Sequence, residues 1–216
     1  MKELVDVLKG LKRDLKQNKK IQVIEDSILI SIPDDYMLGL FLKTDSRFKV
    51  LDKLFVLFTN IGIAWRSNEK GNVFLNGEFF FVNFHNAREW FLVSSYYNPL
   101  MNSDSGFSIK DEFMILEQHP EAGDGMDYIM RIPVEKNTIE IWGHDTKETN
   151  LFKLTLNLEQ YVKAMCHFKC IYNWQWLFVI EEHRGKLDQD YHERLLKRLE
   201  ILKEYFPELD IDKRDF

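Results

Sequence analysis

The chain of 216 residues is long enough to bury a substantial hydrophobic core, and its 45% hydrophobic and 14% aromatic content excludes a disordered protein. It has no long uncharged apolar run, so a membrane-spanning helix is not expected, and the charges within residues 1–20 argue against a signal peptide. Its two cysteines, Cys166 and Cys170, do not form a disulfide framework, so a cytoplasmic protein is the simplest interpretation.

The first predicted element is an N-terminal helix over residues 2–18. Its apolar residues recur at helical spacing and form one stripe, which consists of Leu4, Leu8, Leu11 and Leu15. Residues 21–32 predict two short strands that are broken near Glu25 and Asp26. Pro33 marks the start of a helix to about residue 41, and a stronger apolar pattern predicts another helix over residues 46–59.

Short strands are expected through the middle of the chain, separated by turn signals. They are predicted at residues 63–66, 73–75, 78–84, 113–118, 127–134, 138–142 and 151–155. The dipeptide Asn76-Gly77 is typical of a two-residue hairpin turn.

Residues 156–207 carry the clearest helix signals. Asn157 and Gln160 are spaced as a capping box, and an apolar face follows them: Leu158, Tyr161, Val162, Met165 and Phe168. The alternating aromatic residues at 172–178 indicate a strand or a helix end. A last helix is predicted over residues 187–206, before Pro207. The chain is therefore expected to form a single α+β domain over residues 1–216, with a helix at 1–20 and a helix and tail at 186–216.

No catalytic or metal-binding motif stands out. Cys166 and Cys170 share a helix face, but no second cysteine pair completes a zinc site. A metal or acid–base site could be assembled from a polar cluster, although turn residues are the more ordinary interpretation. That cluster comprises His119, Asp124, Asp127, His144 and Asp145. The sequence therefore predicts no enzyme, no metal and no cofactor.

Charge is distributed unevenly along the chain. Residues 1–20 hold seven Lys/Arg against three Asp/Glu, whereas residues 104–148 hold four against eleven. We call residues 104–148 the acidic block. Such a block repels nucleic acid and favours a basic protein partner, although a merely solvated surface has the same composition.

Four segments resemble the SUKH superfamily, the group of cell-wall-synthesis-regulator-like and immunity proteins. They are residues 58–65 (FTNIGIAW), 71–75 (GNVFL), 151–178 with YNWQ at 172–175, and 205–210 (YFPELD). The resemblance implies an α+β fold in which helices pack on a twisted, mostly antiparallel sheet. It also implies binding rather than catalysis, since bacterial members commonly neutralise a cognate toxin that is often a nuclease.

Charge and position within the acidic block, rather than a family motif, indicate the residues that would contact a basic toxin. They are Asp104, Glu117, Glu121, Asp124, Asp127, Trp142 and Asp145, with Trp142 as the expected anchor. Two other functions stay open at this point. One is an intracellular scaffold or regulatory protein, and the other is a small-molecule-binding or hydrolytic domain that uses His119, Asp124 and His144.

Overall fold

The structure is a computed structural model that describes residues 2–29, 60–68, 75–81, 112–118, 126–133, 138–145, 150–187 and 189–216. The described residues form three α-helices: α1 (Lys2–Gln17), α2 (Leu158–His167) and α3 (Gln189–Tyr205). Two 3-10 helices, Trp174–Phe178 and Glu181–Lys186, lie between α2 and α3 in sequence. The helices predicted at residues 33–41 and 46–59 lie outside the described residues.

Seven strands of the described residues form one antiparallel sheet in which each strand pairs with the next along the chain. They are β1 (Ile21–Leu29), β2 (Asn60–Ser67), β3 (Asn76–Phe81), β4 (Glu112–Gln118), β5 (Met126–Ile132), β6 (Glu140–Asp145) and β7 (Asn150–Lys153). This meander with helices before and after it confirms the predicted α+β class.

One side of the sheet, here called the helix side, packs against the helices. The strand register places Trp65, Phe79, Glu117, Tyr128 and Phe152 on this side. The leucine stripe of α1 is buried there, as predicted, and so is the predicted apolar face of α2. The capping box of α2 is also confirmed, because the Asn157 side chain accepts from Gln160 N and the Gln160 side chain accepts from Asn157 N.

The opposite side of the sheet, here called the second side, is buried as well along β5 to β7. Ile129, Trp142, His144 and Leu151 all point to this side and are all buried. The second 3-10 helix contributes to the cover, because the His183 ring lies 5.5 Å from the Trp142 ring, centroid to centroid. Buried residues on both sides explain why strict apolar–polar alternation is weak in these strands.

Two local predictions were wrong, each through a packing or register effect, and one open alternative is resolved. Residues 21–29 form one strand, because a bulge at Ile24 absorbs the irregularity while pairing with β2 continues. Asn76-Gly77 is not a turn but part of β3, where Gly77 pairs with Trp65. Of the two alternatives for the alternating aromatic residues, a strand or a helix end, the strand is excluded, because residues 174–178 form a 3-10 helix with nearly all side chains buried.

None of the helices among the described residues combines the length with the apolar composition that crossing a bilayer requires.

Candidate functional site

The described part of the acidic block brings two carboxylates to one end of the sheet. Asp127 lies near the start of β5 and Asp145 ends β6, and these strands are neighbours. The register pairs Asp127 with His144 and Asp145 with Met126, so the two carboxylates lie one residue apart along the ladder and point to opposite sides. Both side chains are half-buried. We call Asp127 and Asp145 the acidic strand end.

His144 is paired directly with Asp127 and precedes Asp145 in β6, and it has no exposed surface. Burial lowers the pKa of His144, and the charges of Asp127 and Asp145 oppose that shift without cancelling it. The imidazole is therefore neutral in the folded protein at neutral pH. Of the polar cluster considered for metal or acid–base chemistry, His119 and Asp124 lie outside the described residues. Within those residues, no group of three or more His, Cys, Asp or Glu side chains is arranged to hold a metal ion.

Trp142, the expected anchor, is 6% exposed. Its Nε1 donates to Glu140 Oε2 at 3.2 Å, and its ring lies against His183 and 5.9 Å from the Lys153 Nζ. An anchor must present its ring to a partner, whereas this ring is already used inside the protein. The expectation that Trp142 forms a surface contact is therefore wrong for this conformation, because the second 3-10 helix packs over it.

Glu140, which the sequence did not single out, is the centre of an ion-pair network on the second side of the sheet. Its Oε2 lies 2.9 Å from Arg131 Nη1 and its Oε1 lies 2.8 Å from Lys153 Nζ. Burial alone would raise the pKa of Glu140, but hydrogen bonds from Lys153 and Trp142 outweigh it and hold the pKa below its ordinary value. The network joins β5, β6 and β7. The sequence carries a signal for this network, because Arg131, Glu140 and Lys153 place opposite charges on neighbouring predicted strands.

Glu117 was expected on the partner-binding surface, but it lies in the core with no exposed surface. Tyr161 Oη donates to Glu117 Oε2. Gln175 Nε2 donates to Glu117 Oε1 at 3.1 Å and to Tyr161 Oη at 3.2 Å. The expectation is therefore wrong, because a buried carboxylate that accepts these bonds cannot contact a partner protein. Buried polar groups require partners, so the polar Gln175 between two tryptophans was the sequence signal that was missed.

This Glu117 network is built for stability rather than for reaction. Burial, followed by the neighbouring Glu117 charge, raises the pKa of Tyr161 well above its ordinary value, so the phenol stays protonated. The nearby thiols of Cys166 and Cys170 are also fully buried, and burial raises the pKa of both. Neither cysteine is therefore a reactive thiolate at neutral pH.

Three predicted partner residues, Asp104, Glu121 and Asp124, lie outside the described residues. Of the seven predicted, the structure thus brings together Asp127 and Asp145 and places Glu117 and Trp142 in the interior. No family model, curated protein or solved structure matches this chain. The resemblance to the SUKH superfamily therefore stays a prediction based on short motifs.

Proposed function

We propose that this chain is a non-enzymatic cytoplasmic binding protein of the bacterial immunity type, which neutralises a basic toxin domain. A nuclease is the toxin class that matches an acidic inhibitor best. The observation that supports the proposal is the acidic strand end, where Asp127 and Asp145 lie on neighbouring strands and are both partly exposed. The connecting residues 119–125, between β4 and β5, add two acidic residues and no Lys or Arg in sequence.

Binding is favoured over catalysis by the way in which the other polar groups are used. Glu140 is held by two cations, Glu117 is held by a tyrosine and an amide, and the buried thiols are protonated. His144, the imidazole nearest the acidic strand end in the ladder, has no exposed surface on which a substrate could be bound. These groups therefore contribute to the fold, and the partly exposed Asp127 and Asp145 are the side chains proposed to contact the partner.

The charge of such a partner follows from electrostatics. A nuclease holds its phosphate substrate in a groove lined with Lys and Arg, and an acidic surface is complementary to that groove. Complementary charge accelerates association more than it strengthens the final complex, and added salt weakens the effect. The proposal therefore predicts fast association that slows as the ionic strength rises.

The test uses the full chain as bait in its native host, with bound proteins identified by mass spectrometry. Two double variants accompany the wild type: Asp127→Lys with Asp145→Lys, and the matched control Glu200→Lys with Glu208→Lys, which reverses two exposed carboxylates elsewhere. We expect the wild type and the control to recover one basic toxin domain and to inhibit it in a purified assay. The Asp127/Asp145 variant should associate with this toxin at least about tenfold more slowly than the wild type does.

Two results would contradict the proposal. Equal association rates for both double variants would show that the acidic strand end is not the interface. Recovery of housekeeping proteins alone, with no toxin inhibited, would favour the scaffold or regulatory function instead.

A further inference from the structure

A cavity of about 470 Å³ lies among the two 3-10 helices, α3 and the residues that follow α3. This volume is within the range of about 300–1,000 Å³ that is usual for small-molecule sites. Its apolar wall is formed by Trp176, Leu177, Leu187 and Leu196. Leu196 is 44% exposed, which is unusual for a large apolar side chain among the described residues. The cavity therefore presents apolar surface to solvent.

The cavity also carries positive charge in a protein whose formal net charge is −6. Arg184 and Arg214 both line it, and His192 lies beside them in the lining. Within the described part of the chain, neither guanidinium has a carboxylate oxygen within 4 Å. Two cations thus share one cavity, and the charges of Asp210 and Asp212 act on the second of them, Arg214.

The hydrogen bonds of these arginines leave donors for a ligand. Arg184 Nε donates to the Val179 carbonyl at 3.4 Å, and Arg214 Nη1 donates to the Ile211 and Lys213 carbonyls at 2.8 Å each. A guanidinium has five N–H donors, so hydrogen bonds to the described residues leave most donors of each arginine. Burial lowers the pKa of Arg214, and the charges of Asp212 and Asp210 oppose that shift. A bound anion would act in the same direction as these two carboxylates.

We propose that this cavity binds a small organic anion, with its acid group held by Arg184 and Arg214 and its apolar body lying against Leu177, Leu187 and Leu196. The planar guanidinium fork matches a carboxylate or a phosphate, so the acid group is one of these two. The lining residues of this site do not include Asp127 or Asp145. It is therefore a second function, independent of toxin binding.

The test is a fluorescence titration of the full chain with the aromatic anion 8-anilino-1-naphthalenesulfonate. Competition follows with decanoate, decyl phosphate and decanol, which share a ten-carbon chain and differ in the head group. Arg184→Gln with Arg214→Gln removes the cations, and Leu196→Trp fills the cavity without changing charge. The control, Lys9→Gln with Arg13→Gln, removes two exposed cations from α1. Circular dichroism and urea melts identify any variant that is not folded.

We expect saturable binding by the wild type and the control, and at least about tenfold weaker binding by the arginine variant, because charged hydrogen bonds are lost. Leu196→Trp should weaken binding similarly, which keeps the test decisive if the arginine variant does not fold. Decanoate or decyl phosphate should displace the probe better than decanol does, and the better of the two acids identifies the acid group. The proposal is overturned if the wild type shows no saturable binding of the probe. It is also overturned if decanol displaces the probe as well as both acids do, or if the folded variants bind the probe with unchanged affinity.

Discussion

Gly77 offers the sharpest test of how this sheet packs against the helices. It lies in β3 directly opposite Trp65 of β2, and the Trp65 indole covers the position where a side chain would begin. A Cβ at residue 77 would meet the indole ring and would lie 2.7 Å from the Cys170 carbonyl oxygen. Real Cβ atoms essentially never approach backbone this closely. Replacing Gly77 with Ala must therefore displace Trp65, the Cys170 backbone, or both.

The cost follows from what Trp65 does. Its side chain is 1% exposed, and its Nε1 donates to the Lys169 carbonyl at 2.6 Å. Overpacking costs about 1–3 kcal/mol, and a buried donor that loses its acceptor costs about 1–3 kcal/mol more. The better strand propensity of Ala returns about 0.5–1 kcal/mol. We therefore expect Gly77→Ala to lower the free energy of unfolding by about 1–5 kcal/mol.

Urea denaturation followed by circular dichroism measures this change, and two other glycines serve as controls. A Cβ at Gly10, inside α1, or at Gly185, in the second 3-10 helix, meets no atom within 4 Å. Gly10→Ala should stabilise the protein by about 0.5–1 kcal/mol, because Ala favours a helix interior over Gly. Gly185→Ala should change stability by no more than about 0.5 kcal/mol.

A double-mutant cycle identifies the cause. If the Trp65 indole is what the new methyl group meets, Trp65→Phe should lose less stability in the Gly77→Ala background than in the wild type. The reasoning is refuted if Gly77→Ala is as stable as Gly185→Ala. Strict additivity with Trp65→Phe would also refute it, since two residues that share one space must couple.

The remaining predictions concern polar side chains with defined hydrogen-bond or electrostatic roles and can be tested with the same unfolding assay. Tyr161→Phe leaves Glu117 without its hydroxyl donor and should cost about 1.5–3 kcal/mol. Asn157→Ala removes the cap of α2 and should cost about 1 kcal/mol, whereas Asn157→Ser should restore most of it. The pKa of His144 is lowered on folding, so the unfolded chain binds more protons below about pH 6.5 and stability falls there as the pH falls. His144→Gln should reduce the slope of the free energy of unfolding against pH by up to about 1.4 kcal/mol per pH unit. An unchanged slope would contradict a lowered pKa for His144. Because the pKa of Glu140 is also lowered on folding, its contribution is present above about pH 4.5 and is lost as the pH falls below it. Glu140→Gln should lower the free energy of unfolding by about 3 kcal/mol at pH 7. It should also reduce the loss of stability below about pH 4.5.

Helices with local signals were predictable from the sequence. α1 and α3 follow from apolar stripes at helical spacing, and α2 follows from its capping box and apolar face. Each signal involves residues three or four positions apart, so the information is present in a short window of sequence. The observed bounds of α1 and α3 differ by at most two residues from the helices predicted over residues 2–18 and 187–206, which is the usual ambiguity at helix ends.

Strand details were less predictable because they depend on partners far away in sequence. Asn76-Gly77 has the sequence of a hairpin turn, but residue 77 must be glycine because the Trp65 side chain packs against it. The bulge at Ile24 is visible only once the pairing of β1 with β2 is known. A local pattern gives the propensity of a segment, whereas the register decides which residues must be small or unpaired.

The partner-binding residues show the same limit with a consequence for function. A count of charge over residues 104–148 treats the acidic side chains as equivalent, yet the structure separates those that it describes. Glu117 is buried by Tyr161 and Gln175, which are 44 and 58 residues away in sequence, and Glu140 is neutralised by two cations. Asp127 and Asp145 remain half-buried at a strand end. The described acidic side chains therefore differ in what they contact, so a double charge reversal at Asp127 and Asp145 is a stronger test than neutralising the whole block, which would also disrupt the core.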